Sequence, residues 1–278
     1  MKKLVKYLLI SLLIISTTLG SGCKTVKEKK PDYSTQPASH NMNEIDEFLL
    51  ETGMPLDTVK ALDEQLKTYI YETIDTTEKL TFSGHTEETI TFPDTDDGDG
   101  DISPNTIPHL SLTVTAFKDS NGIYHIYPTF EWKVPNKVAI DTFAFVLPEG
   151  WYLVPSKYNL RMWYKTSPSD DWKLIEDLSR PSTATLYGYG WNIPKYYYDG
   201  YGWETTKYYA RKAYVKGHAY FYAKPTTPTP NKRICVSYAD DTSSRLNLSY
   251  SLTYEALSIT LNPASDDSVR FSSKLLEF

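Results

Sequence analysis

From Leu110 onward the chain alternates apolar and polar side chains with a period of two, and that period is what most limits the folds open to it. The segments Leu110 to Phe117 (LSLTVTAF), Ile123 to Trp132, Thr142 to Val146, Leu160 to Tyr164, Arg211 to Tyr222, Arg233 to Tyr238 and Leu246 to Leu261 are rich in Val, Ile, Thr and aromatic residues. Successive side chains of a strand point to opposite faces, so each segment reads as a strand with one face in a core. Turn formers stand between them: Asp119-Ser120-Asn121-Gly122, Pro148-Glu149-Gly150, Ser167-Pro168-Ser169-Asp170 and Pro225 to Pro230. Short strands separated by turns at close intervals describe an antiparallel sandwich. Helical patterns do not alternate with the strands, which argues against a parallel α/β sheet. The expectation is a mainly β chain, with a β-sandwich domain over residues 76–278.

Ahead of the strands the spacing is helical. Ile45, Phe48 and Leu49 recur on one face, and Gly53 stands where a helix would end. Pro55 and Asp57 open a second segment with Val59, Leu62, Leu66 and Ile70 along one stripe. A short helical hairpin over residues 43–75 is therefore expected, packed against the domain that follows.

The first residues obey a different logic. Lys2, Lys3 and Lys6 give a basic start, and Leu8 to Leu19 (LLISLLIISTTL) is an apolar run too short for an ordinary membrane span, which needs about 20 residues. Gly20-Ser21-Gly22-Cys23 follows. This layout resembles the signal segment and lipobox of bacterial secreted lipoproteins, with Gly20 at the place where that class usually has leucine and Leu19 one residue earlier. The resemblance implies a signal peptide over residues 1–22 and lipid attachment at Cys23. A protein so processed is exported and tied to the cell membrane through its lipid, facing outward. Residues 23–42 mix charge with Pro, Ser and Thr and have almost no large apolar side chains, so they read as a disordered tether.

Composition narrows the partners. Cys23 and Cys235 are the only cysteines, so a lipidated Cys23 leaves no internal disulfide, and the domain must be held by its own core. Removing the three leader lysines leaves 26 basic against 35 acidic residues, a net charge of −9. That balance argues against nucleic acid and against a polybasic grip on anionic lipid.

One segment repeats. Gly188-Tyr189-Gly190-Trp191 with Lys195-Tyr196-Tyr197 recurs twelve residues on as Gly200-Tyr201-Gly202-Trp203 with Lys207-Tyr208-Tyr209, and eleven of the 23 tyrosines lie between Tyr187 and Tyr222. Tyr and Trp offer flat apolar faces with a polar tip, which suits stacking on sugar rings or anchoring a protein interface. The stretch resembles the Gly-Trp and Trp-Tyr-Tyr cell-wall-binding repeats of bacterial surface proteins, over about two dozen residues and two copies only; neither that family's fold nor its ligand is carried over. Tyr189, Trp191, Tyr196, Tyr201, Trp203 and Tyr208 are thus candidate contacts for an extracellular glycan or protein. The same rings could equally be cross-strand pairs covering one face of the sandwich.

Other chemistry is sparse. Asp97, Asp99 and Asp101, in the run Asp94 to Asp101, could surround calcium, but counting from Asp97 an EF-hand would need glycine where Ile102 stands and glutamate where Pro108 stands. A solvated acidic loop is the simpler reading. The five histidines never fall at metal-ligand spacing, and HExxH and GxSxG are absent. His125 and His218 stand inside strand patterns, as sheet-surface histidines would. Glu131 and Asp170-Asp171 sit near aromatics, as a glycosidase's acid and base do; Cys235, in RICVSY, reads as a small buried hydrophobe. No catalytic residue, metal or cofactor is assigned. Binding by a lipid-anchored surface protein is the leading functional expectation. The alternatives are a secreted hydrolase acting on cell-wall polymers and an immunity-type or assembly protein that engages a partner through its helical hairpin.

Overall fold

The computed structural model describes residues 42–74, 79–90, 107, 109–135, 141–193, 197–198, 203–204, 213–241, 248–253, 258–263 and 269–278. Residues 41–278 form one compact unit.

Three helices come first: α1 (Met42–Glu51), α2 (Leu56–Ala61) and α3 (Glu64–Thr73). α1 ends where the sequence says it should, at Gly53, whose φ of +90° suits a residue without a Cβ. The second expected segment divides in two. Leu62 and Asp63 are extended, with ψ of 138° and 135°. The break lets the Asp63 side chain accept a hydrogen bond from the Leu66 N–H at 3.1 Å and cap α3. Val59, Leu62, Leu66 and Ile70 are nonetheless all buried.

The strands are β1 (Thr81–Ile90), β2 (Leu110–Lys118), β3 (Tyr124–Trp132), β4 (Asp141–Val146), β5 (Trp151–Lys165), β6 (Lys173–Leu178), β7 (Thr183–Ala184), β8 (Gly188–Ile193), β9 (Tyr197–Tyr198), β10 (Trp203–Glu204), β11 (Tyr214–Pro225), β12 (Arg233–Asp241), β13 (Leu248–Thr253), β14 (Ser258–Pro263) and β15 (Val269–Glu277). They build two antiparallel sheets, ordered β1-β2-β3-β11-β5-β6 and β15-β12-β4-β8-β7, which pack as a sandwich. β13 and β14 pair with each other and lie alongside β4, β8, β12 and β15.

The first sheet is covered on both faces, which explains why β2 and β3 are buried almost without interruption. Leu110, Leu112, Val114 and Ala116 of β2 face the core shared with the second sheet, alongside Ile126, Phe130, Phe145, Phe221 and Tyr238. Phe117 and Tyr127 face the other way and join a second core with Ile45, Leu49, Val59, Leu66, Tyr69 and Ile70 of the helices. The helical stripe seen in the sequence is therefore consumed in covering a sheet. A strand pattern of apolar and polar residues becomes fully buried here because its polar face, rich in Thr and Ser, also carries aromatics that the helices can cover.

Candidate functional site

The first copy of the aromatic repeat is part of the sandwich core. β8 pairs with β4, bringing Trp191 opposite Phe143 and Tyr189 opposite Phe145. Its period of two sends both rings inward: Tyr189 is 5% exposed and Trp191 1%. The Trp191 ring lies 5.9 Å from that of Phe145, and its Nε1–H donates to the Leu178 carbonyl at 3.1 Å. Tyr189 packs on Tyr158 with ring centroids 4.6 Å apart. The expectation that Tyr189 and Trp191 offer a ligand platform is corrected accordingly. Glycine-tyrosine-glycine-tryptophan is itself an alternating pattern, and its aromatic face is worth more inside the sandwich than in water.

Of the second copy, only Trp203 is among the described residues. Trp203 and Glu204 of β10 pair with Tyr198 and Tyr197 of β9, in a small ladder that belongs to neither large sheet. Trp203 is placed by its backbone alone. Tyr196, Tyr201 and Tyr208 lie outside the described residues, as do Cys23 and the acidic Asp97, Asp99 and Asp101.

Between the helices and the first sheet lies a polar cluster that sequence patterning did not single out. Lys216 of β11 is fully buried. Its Nζ donates to Asp63 Oδ2 at 2.5 Å and to Gln65 Oε1 at 2.7 Å, and lies 4.1 Å from the centroid of the Trp172 ring. His218, two residues along on the same face and 2% exposed, has Nε2 at 3.5 Å from Asp63 Oδ1 and a ring centroid 4.7 Å from that of Trp163. Its Nδ1 finds no hydrogen-bond partner among the described residues. The sheet-surface reading of His125 and His218 is thus half right: both stand on the outer face of the first sheet, yet both are buried.

Burial pushes the His218 imidazole down to about 3, overriding the pull of Asp63. At neutral pH His218 is therefore uncharged, and Lys216 is the cation that holds Asp63 ionised. Burial would raise the Asp63 carboxyl; attraction to His218, charged in the acid range where Asp63 titrates, and to Lys216, with the hydrogen bonds from Lys216 and Leu66, leaves it below its usual range. Burial likewise lowers the Lys216 ammonium, against the opposing attraction of Asp63 and Glu131. Further along the interface Arg161 of β5 spans Glu72 of α3 at 2.7 Å and Asp177 of β6 at 3.2 Å, with Tyr69 beneath its guanidinium. At the far end Tyr222 donates to the Thr73 carbonyl at 2.9 Å. Together these contacts hold the helices on the sheet, and Asp63 is their most heavily used member.

The carboxylates with a possible catalytic reading have structural partners. Glu131 pairs with Lys133 at 2.8 Å, and Asp170 accepts from Thr166 Oγ1 at 2.6 Å and the Ser167 N–H at 2.9 Å to close a turn. Among the described residues no three His, Cys, Asp or Glu side chains come together as a metal site. Cys235 is buried beside Ala144 and Val146, and burial pushes its thiol up to about 11.

No protein-family model and no curated protein matches this chain. A solved structure titled "Pore forming protein" is similar over 72% of this chain and 87% of its own length, at 8% identity and a TM-score of 0.30, a likeness that fixes neither fold nor activity.

Proposed function

We propose that this chain is an exported, lipid-anchored surface protein that binds an extracellular glycan or protein without catalysis. The contact falls to the second copy of the aromatic repeat, around Trp203. The observation that carries this reading is the different strand pairing of Trp191 and Trp203 in two nearly identical segments. The first is absorbed into the core, with Trp191 hydrogen-bonded inside it. Trp203 of the second stands in a ladder paired with neither large sheet. The leader over residues 1–22, followed by Cys23, supports an outward location. Against the helical-hairpin alternative stands the use of its apolar stripe in covering the first sheet.

The test uses the bacterial cell wall of the source cells and its purified glycan. Trp203→Ala should reduce retention at least tenfold while leaving the thermal midpoint unchanged, since an aromatic anchor typically carries more than 1 kcal/mol of binding. Equal retention of wild type and variant would remove the assignment. For the anchor, labelled fatty acid should be incorporated by the wild type and not by Cys23→Ala.

A further inference from the structure

The polar cluster under the helices does more than hold them, because its members answer differently to acid. We infer that His218 is a proton-operated release for the helical layer: uptake of a proton there lifts α3 from the outer face of the first sheet.

The closed state offers a charged imidazole one carboxylate, shared with Lys216. On its own strand His218 has Lys216 for a neighbour on the same face, with Tyr220 on the other side. Across one strand boundary it is paired with Arg161 of β5, and across the other with Thr129 of β3. Lys165 of β5 adds a third cation near Lys216, while Glu131 of β3 stands opposite Lys216. Glu72 and Asp177 are committed to Arg161. Among the described residues of the helices, the carboxylate facing the ring is Asp63, already bonded to Lys216 and to the cap of α3. A proton on His218 would create a further buried cation competing for that single anion. Its Nδ1 would also acquire an N–H in a place where the neutral ring already lacks a partner. Lifting α3 admits water to both nitrogens and removes the conflict.

The direction of the pH effect follows from burial. In the closed state the ring stays neutral down to about 3, whereas in water it charges below 6.5. The open form therefore binds the extra proton, and each unit of pH below 6.5 multiplies the open population by about ten, with a ceiling on the order of a thousandfold. His125, the other buried histidine of this face, is also held below its usual range by burial, but Asp119 at 3.6 Å gives it a carboxylate of its own.

Hydrogen exchange of the full mature protein tests this. After correction for intrinsic rates, the amides of α3 should lose protection about tenfold per pH unit between 6.5 and about 4.5 while staying less protected than those of β4 and β12, whose global opening carries the same proton linkage. In His218→Phe the α3 protection should stay flat over that range, and His125→Phe should behave as wild type. Constant α3 protection in the wild type overturns the inference, as does an unchanged slope in His218→Phe. Should that variant fail to fold, the imidazole resonances of the wild type decide. Proton uptake by His218 must coincide with loss of α3 protection, and uptake near 6.5 under a still-protected helix contradicts the release.

Discussion

Asp63 serves three partners with two oxygens: the Leu66 N–H, the Lys216 ammonium and the His218 ring. Removing it costs more than a cap, because Lys216 would remain buried without a counter-charge. Asp63→Ala is expected to lose roughly 3–5 kcal/mol of stability in urea denaturation, the range for stripping one partner from a buried ion pair. Adding Lys216→Met to that variant should recover part of the loss, since the two effects share one interaction. A loss under about 1 kcal/mol for Asp63→Ala would show that water reaches the ammonium readily. Neither residue stands out in the sequence. Asp63 precedes a helix as many caps do, and a lysine in YVKGHAYFY looks like the solvent-facing member of an alternating strand. Their pairing joins residues 153 positions apart, a separation over which periodicity says nothing.

At the level of elements, β8 shows why glycine alternates with aromatics. A Cβ on Gly188 would stand 2.2 Å from the Phe145 carbonyl oxygen, a backbone atom of the paired strand that cannot step aside. Gly188→Ala should therefore loosen the β4–β8 pairing and destabilise by about 1–3 kcal/mol, as overpacking of a closed site does. Thermal unfolding followed by circular dichroism measures this; a midpoint equal to wild type would mean that the strands separate at little cost. Strands with apolar alternation, such as β2, β3, β4 and β12, were legible as strands. β1 was not, since TFSGHTEETI carries mostly polar side chains, and it is held by its ladder with β2 and by the Thr86 hydroxyl donating to the Glu277 carbonyl at 2.6 Å. The helical segment was legible as well, except for its break at Leu62–Asp63, which exists to aim one carboxylate at the sheet.

For the whole molecule the buried titratable groups define a plateau of stability. Folded His218 stays neutral to about 3 while the unfolded chain takes up the proton below 6.5, so stability falls as pH drops through that window. Asp63, held below 3.8, adds a further loss at the acid end. On the alkaline side the buried Cys235 thiol keeps its proton to about 11, whereas the unfolded chain sheds it from 9.0 upward, so stability falls there too. Tyr189, raised to about 12 from 10.0, prolongs that decline. The urea midpoint should accordingly be highest and nearly constant between 6.5 and 9.0 and drop on both sides; a maximum below pH 6 would contradict the buried, neutral state of His218. By itself the sequence determined the class of the fold, a β-sandwich preceded by helices, because strand and helix periods are local and survive in any one segment. The tertiary structure decided that the first aromatic repeat enters the core, and which buried charges meet under the helices. Those outcomes depend on pairing partners far apart in the chain, and only the assembled sheets bring them together.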